Sequence, residues 1–318
     1  MSINSVLVTG SSGTLGTALC ERLMHEEYTV YGTDLVGNPW NDAIDERTTV
    51  IDLCDETELS RLPTEVDMIV HLSAHARVHR LVQRPQLAME NLEMTFNLLD
   101  FARRHDVPNV VFSSSREVYG NTEQVVYDET ATHTDSCESP YTASKIGGEA
   151  LVDSFNTCYG LSTSVLRFSN VYGRYDISDR VVPLFIAKSC NGESLTVFGN
   201  KKVLDFTYLD DCVDGIYRVI DQYPKAKETT FNIASGRGYS LLELAEIVNE
   251  HTPGSSDITV QSSRIGEVDR YIADISKAKR MLDFRPKYSL SDGIAETINW
   301  YTDRPSVLED ITASQNAR

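Results

Sequence analysis

Three glycines constrain this chain more than any other feature. Gly10, Gly13 and Gly16 stand between an apolar run, Val6-Leu7-Val8-Thr9, and a stretch of helical periodicity at residues 14–26. A chain that leaves a buried strand, turns sharply and enters a helix packed against that strand needs residues without side chains at those points. The helix then opens with unpaired N–H groups and the positive end of its dipole, which suits a pyrophosphate. The turn therefore asks for a strand–helix unit of a parallel sheet, with Gly10, Gly13, Thr14, Leu15 and Gly16 placed to hold phosphates. A glycine turn of purely structural purpose has the same spacing.

A second apolar run, residues 29–33, ends at Asp34, 18 residues after Gly16. A carboxylate there accepts hydrogen bonds from ribose hydroxyls and repels a 2′-phosphate. Leu35 and Val36 offer no arginine to hold one, so NAD is favoured over NADP. Further apolar runs at residues 67–71, 109–113 and 162–168 alternate with helical patterns at 85–104 and 140–159, each opened by a proline. This alternation predicts an α/β fold, a Rossmann-like doubly wound parallel sheet. After residue 173 the segments shorten, and two helical stretches stand out at 240–251 and 290–301. The organisation expected is an NAD-binding domain over 1–173 to which later segments return. Residues 174–303 should form a smaller mixed α/β substrate lobe, and 304–318 a frayed tail.

Composition narrows the partners. The net charge of −18 disfavours nucleic acid and anionic membranes. Arginine outnumbers lysine and acids abound, which suits a salt-loving host or an ordinary acidic enzyme. No apolar run approaches the roughly 18 residues of a membrane span, and the N-terminus lacks the pattern of a signal peptide, so a cytoplasmic protein is expected. The six cysteines are scattered with no C-x-x-C pair, which argues for isolated thiols. His75 and His79 have i, i+4 spacing, but no third ligand is evident and no metal is expected.

Tyr141-Thr142-Ala143-Ser144-Lys145 carries the chemistry. Spacing of four puts the phenol and the ammonium on one helical face. A tyrosine, with a pKa near 10, needs an adjacent positive charge to act as a base near neutral pH. The pair comes 125 residues after Gly16, at the start of a predicted helix.

Together, G-x-x-G-x-x-G, Asp34 and Y-x-x-x-K resemble the extended short-chain dehydrogenase/reductase family, in its NAD-dependent sugar-nucleotide epimerase/dehydratase branch. Further segments share the likeness. Asp52-Leu53 resembles the pair that flanks the adenine, and Leu72-Ser73-Ala74 the segment beside the cofactor. Arg167 to Gly173 resembles R-x-x-N-x-Y-G, and Asp205 to Asp211 the R-D-F-x-Y-V-x-D segment. The resemblance implies that Ser115 bonds the reacting sugar hydroxyl and that Ser113 touches the nicotinamide region. It implies that Asn170 binds a phosphate or the sugar, that Arg264 holds a diphosphate, and that Glu267 faces a ribose hydroxyl. Where the family often has an arginine before the Asp of R-D-F, this chain has Leu204, so Lys201 or Lys202 substitutes or a phosphate contact is missing. The implied reaction is 4-epimerisation of a UDP-glucose/UDP-galactose type substrate through a transient 4-keto sugar. Related dehydratases carry Asp-Glu after the serine or threonine, and decarboxylases often carry Ser-Glu. Here Arg116-Glu117 follow Ser115. Glu117 fits a 4,6-dehydratase or a UDP-glucuronate decarboxylase, Arg116 does not supply the dehydratase acid, and the two side chains could simply pair with each other. A dinucleotide-sensing regulator without turnover would usually lack the tyrosine or the lysine. The family commonly dimerises through the helices matching 85–104 and 140–159. Leu98, Phe101, Leu151 and Phe155 there suit either a homodimer interface or the core.

Overall fold

A computed structural model describes residues 3–122, 124–131, 137–199, 202–254, 256–262 and 270–316. The strands in chain order are β1 (Ser5–Thr9), β2 (Thr29–Asp34), β3 (Thr48–Val50), β4 (Met68–His71), β5 (Asn109–Ser115), β6 (Val126–Tyr127) and β7 (Ser162–Phe168), then β8 (Asn170–Tyr172), β9 (Leu195–Phe198), β10 (Val203–Tyr208), β11 (Thr229–Ile233), β12 (Gly238–Ser240), β13 (Ile258–Gln261) and β14 (Arg270–Ala273). Seven form one parallel sheet in the order β11-β7-β5-β4-β1-β2-β3. Its central strands are apolar on both faces because helices cover both. This is the doubly wound sheet expected, and β11 is a late segment that returns to it.

The helices are α1 (Thr14–His25), α2 (Asp42–Asp45), α3 (Val78–Gln83), α4 (Gln86–Arg104), α5 (Pro140–Tyr159), α6 (Val181–Cys190), α7 (Leu209–Asp221), α8 (Tyr223–Ala226), α9 (Leu241–His251), α10 (Ser276–Leu282), α11 (Leu290–Thr302) and α12 (Pro305–Asn316). Residues of α1 and α7 share a core with one face of the sheet, and those of α4 and α5 with the other. Leu98, Phe101 and Phe155 are buried in that second core. The apolar side chains left exposed on these helices are Met89, Phe96 and Tyr159.

A smaller sheet, β12-β10-β14-β6 with β8 beside β10, and the pair β13-β9 complete the strands. The helices α6, α9, α11 and α12 bury a third apolar cluster with β9 and β10. One expectation needs correction here, and one helix was not expected. Most of the stretch expected to fray is helical: Pro305–Asn316 form α12, and Val307 and Ile311 are buried in that cluster. Residues 85–104 are a helix, but a separate short helix, α3, precedes it. Proline disfavours helical backbone in the residue before it, and Arg84 takes φ −132° and ψ 75°, which ends α3 before Pro85 caps α4. Among the described residues no helix is long and apolar enough to cross a membrane.

Candidate active site

The strand order reverses between β1 and β4, and such a reversal opens a crevice beyond the carboxyl ends of the strands. A cleft of about 860 Å³ lies there. Gly10, Leu72, Ser115 and Phe168, at or just past the ends of β1, β4, β5 and β7, all line it.

Gly10 has φ +70°, and a Cβ on it would meet the Ser73 backbone nitrogen at 3.0 Å. A Cβ on Gly16 would stand 1.9 Å from the Gly10 carbonyl oxygen, so α1 could not sit as close to the turn with any other residue. Gly13 is the N-cap of α1 and no side chain caps that end. The exposed N–H groups face the cleft together with Thr14 and Leu15. Asp34 closes β2 beside this turn, and its carboxylate accepts from the Ser12 N–H at 3.0 Å and the Leu35 N–H at 2.7 Å. Burial raises its pKa and these backbone bonds oppose the rise. A glycine cradle, an open helix end and a carboxylate at the end of β2 fit a dinucleotide. Asp34, Ser73, Asp52 and Leu53 stand outside the cleft lining. Leu53 points into the core and Asp52 is exposed, so only the Leu53 backbone and the Asp52 carboxylate are left to meet an adenine.

Ser139 caps α5, accepting from the Thr142 N–H, and Pro140 takes the first helical position. Tyr141 and Lys145 follow one turn apart, 7% and 4% exposed. Lys145 Nζ donates to the Ser113 carbonyl at 2.7 Å and lies 5.9 Å from the Tyr141 ring centre. Burial pulls Lys145 down to about 8, against the nearby Glu149 carboxylate, which holds it up. Burial pushes Tyr141 above its ordinary value. The Ser115 hydroxyl, Arg180 and Arg116 draw it back, and Glu117 opposes them. Ser115, Tyr141 and Lys145 thus converge on one point of the cleft. The arrangement suits proton removal from a hydroxyl: a buried phenol beside a serine, with cations around it.

The model of the NAD dependent epimerase/dehydratase family matches residues 6–234. This chain belongs to that family. Its cofactor is NAD, which the glycine turn and Asp34 fit. The chain is 31% identical over 308 residues to an uncharacterized UDP-glucose epimerase, YtcB, of Bacillus subtilis, covering 92% of this chain and 96% of that protein. A UDP-glucose 4-epimerase of Thermotoga maritima, solved with UDP-glucose, superposes with a TM-score of 0.87 at 28% identity, covering 94% of this chain and 99% of that one. A dTDP-glucose 4,6-dehydratase of Streptomyces venezuelae, solved with NAD, does so with a TM-score of 0.88 at 28% identity, over 96% and 99%. Likeness alone does not choose between the two reactions.

Three parts of the expected site of this epimerase/dehydratase can be followed in the structure. Asn170 lines the cleft, but its side-chain oxygen accepts from Arg116 Nε at 3.2 Å and its amide donates to the Asp205 carbonyl at 3.0 Å, so both ends are used within the protein. Arg116 and Glu117 sit on a short 3-10 turn, Arg116–Tyr119, and pair with each other at 2.9 Å. They nevertheless do not turn away: both are buried and both line the cleft. Leu204 is buried in the lining as well, and Lys202 stands beside it. Arg264, Glu267 and Lys201 lie outside the described residues.

Two parts of the site were not singled out in the sequence. Glu149, four residues beyond Lys145 on α5, accepts from Ser114 Oγ and takes both arms of Arg167 at 2.9 and 2.7 Å. Its i+4 spacing from Lys145 was the available signal. Arg77 pairs with Asp179 at 2.9 Å and Arg180 donates to the Ala76 carbonyl at 3.3 Å, joining the chain before α3 to the chain before α6. The run Arg77, Arg80, Arg84 in so acidic a chain pointed there. His75 bonds Glu90 at 2.8 Å, and His79 bonds Gln83.

Proposed function

We propose that this chain is an NAD-dependent nucleotide-sugar 4-epimerase, acting on a UDP-linked hexose. The observation that carries the choice is Arg116. In the dehydratases an acid follows the serine or threonine and protonates the departing C6 hydroxyl. A guanidinium, with a pKa above 12, gives up no proton near neutral pH. Arg116 fills that place, and its Nη2 is already held by Glu117.

In this reading the sugar binds with its C4 hydroxyl between Ser115 and Tyr141. Ser115 orients the hydroxyl, and Tyr141 takes its proton and later returns it. Lys145 keeps positive charge beside the phenol. The Gly10–Gly16 turn and Asp34 would hold NAD, which would supply the acceptor and donor for the C4 hydride. The 4-keto sugar turns over between the two events, and the cofactor is not consumed. The glycine turn, the acid at the end of β2 and the likeness to the Thermotoga maritima epimerase support the reading.

Glu117, buried in the cleft next to Ser115, favours the second reading, a 4,6-dehydratase or a decarboxylase. Proton NMR of the purified protein with UDP-hexoses and no added NAD separates them. The expected result is a product of equal mass with a new anomeric signal. A 6-deoxy methyl signal or a pentose product would mean that Glu117 directs the chemistry. The reading also includes a homodimer formed through α4 and α5, whose exposed Met89, Phe96 and Tyr159 would be covered. Light scattering should give twice the chain mass, and a monomer there removes the dimer.

A further inference from the structure

Tyr141, Lys145 and Glu149 follow one another at four-residue spacing on α5, so they form one stripe of that helix. Three successive residues at the end of β5 meet the stripe. The Ser115 hydroxyl stabilises the Tyr141 phenolate, the Ser113 carbonyl accepts from Lys145 Nζ at 2.7 Å, and Ser114 Oγ donates to Glu149. Tyr141 and Lys145 line the cleft, whereas Glu149 does not. A Cβ on Gly148 would stand 2.5 Å from the Phe112 ring, so helix and strand touch directly beside Glu149.

Arg167 closes the grip from β7, where it lies in register with Ser114. Its Nε and Nη2 donate to the two oxygens of Glu149 at 2.9 and 2.7 Å. Its Nη1 donates to the Tyr119 hydroxyl at 3.2 Å and to the Glu129 carbonyl at 2.8 Å. Tyr119 ends the 3-10 turn that begins at Arg116, and its hydroxyl donates to Asn232 at 2.6 Å. One guanidinium therefore holds both ends of the segment Ser114–Tyr119, the first through Glu149 and the second through Tyr119. Between those ends lie Ser115, Arg116 and Glu117, all lining the cleft. Arg167 is 4% exposed and, like Glu149, stands outside that lining. Taking such a pair out of water costs about what its attraction returns, so it adds little net stability. What it has to supply is geometry and charge.

Resting on Tyr141 as the base, we propose that Glu149 and Arg167 are positioning residues for the reaction: from outside the cleft they fix Ser115 against Tyr141 and set a carboxylate one turn from the Lys145 ammonium. Glu149 is the one charged group among the described residues that acts on that ammonium, where it opposes the downward pull of burial. His71, at the end of β4, is the other titratable group that feels Lys145, and it is neutral, with its pKa pulled to about 3. Arg116, Glu117 and Arg180 act on the Tyr141 hydroxyl. Without Glu149 the ammonium would lose its proton at lower pH, and the phenol would lose the charge beside it. Proton removal comes before the point where epimerase and dehydratase divide, so the pair serves either.

The test uses the NAD-loaded enzyme with UDP-glucose and counts any product. Glu149→Gln keeps the shape and removes the charge, whereas Ser114→Ala keeps the charge and removes the tether. Glu149→Gln should lower kcat by ~10–100-fold, the effect of a small misplacement, with KM and bound NAD little changed. It should also move the alkaline limb of the kcat profile to lower pH. Ser114→Ala should lower kcat by ~3–10-fold, the worth of one hydrogen bond, and leave that limb in place. Glu149→Asp, with the charge restored at shorter reach, should return the limb and only part of the rate. A lower melting temperature with kcat and the limb unchanged would mark a purely structural pair and overturn the proposal, as would a loss confined to KM. If Glu149→Gln does not fold, Ser114→Ala decides alone, and an unchanged kcat there overturns it. Full activity in Tyr141→Phe would remove the base and the proposal with it. If the wild type does not turn over UDP-glucose, that reading of the substrate fails and the pair is judged without one. Carbon NMR of labelled lysine in the NAD-loaded protein should then show Lys145 titrating at lower pH in Glu149→Gln, and an unmoved titration overturns the proposal.

Discussion

At the scale of single residues, the site depends on groups buried in unusual states of charge. Tyr141 is held protonated by burial until cations draw its proton off. Removing the hydroxyl should abolish the reaction and leave the cofactor site alone. Tyr141→Phe is expected to lower kcat by roughly 10²–10⁴-fold, with NAD still recovered from the denatured protein. His71 shows the same principle in a structural role. Leu72 and Ser73 each donate an N–H to Thr9 Oγ1, so the threonine's own proton goes to His71 Nδ1 at 2.8 Å. The Nε2–H is then left for Thr95 at 3.3 Å. Burial first, and the Lys145 charge second, hold this imidazole neutral, with its pKa at about 3. A base whose folded pKa lies below its unfolded value of ~6.5 binds fewer protons when folded. Its stabilisation is complete above that value and is lost as pH falls toward 3. Wild-type unfolding free energy should therefore drop by on the order of a few kcal/mol between these limits. Half-buried Asp34 and buried Asp205 and Asp211, with raised pKa values, work in the opposite direction. The decisive measurement is the difference in slope between wild type and His71→Asn, which should be shallower. Equal slopes would contradict the assignment.

At the scale of elements, α12 ties the end of the chain into the smaller lobe. Ile311 is fully buried among residues of α6, α9 and α11. Ile311→Ala should destabilise by about 2–5 kcal/mol, read as a lower melting temperature, whereas a frayed tail would give no change. The failure to foresee this helix has a physical reason. Its apolar stripe is short, and its burial depends on partners far away in sequence, which no local periodicity reports. Elements with strong local signals were legible: the run Ser162 to Phe168 is β7 residue for residue, and the glycines announced the turn into α1. The site divides along the same line. Tyr141 and Lys145 could be paired because spacing along one helix puts them on one face, whereas Ser115 came from the family resemblance. The use of Asn170 by Arg116 and Asp205 could not be foreseen, because it joins three segments far apart in sequence. Nor could the fate of Leu98, Phe101 and Phe155, since one apolar helix face looks the same whether a sheet or a second copy covers it.

At the scale of the whole molecule, a chain of net charge −18 must attract an anion. The cleft answers locally, with Arg77, Arg80, Arg84, Arg116 and Arg180 in its lining. The global field acts over a distance that salt sets, about 30 Å at 0.01 M and about 8 Å at 0.15 M. Raising salt over that range should screen the repulsion more than the short contacts inside the cleft. KM for the nucleotide sugar is expected to fall, the reverse of a basic enzyme, and a rise would show that the arginines dominate the approach. The central claim is that hydrogen leaves and returns at C4 alone. Running the reaction in D2O and reading the product by NMR tests it most directly. Epimerisation predicts a product with no deuterium at C4 or C5, since the C4 hydrogen shuttles on the cofactor and C5 is untouched. Deuterium at C5 would contradict it: with a 6-deoxy methyl group it marks a dehydratase, and in a pentose product a decarboxylase.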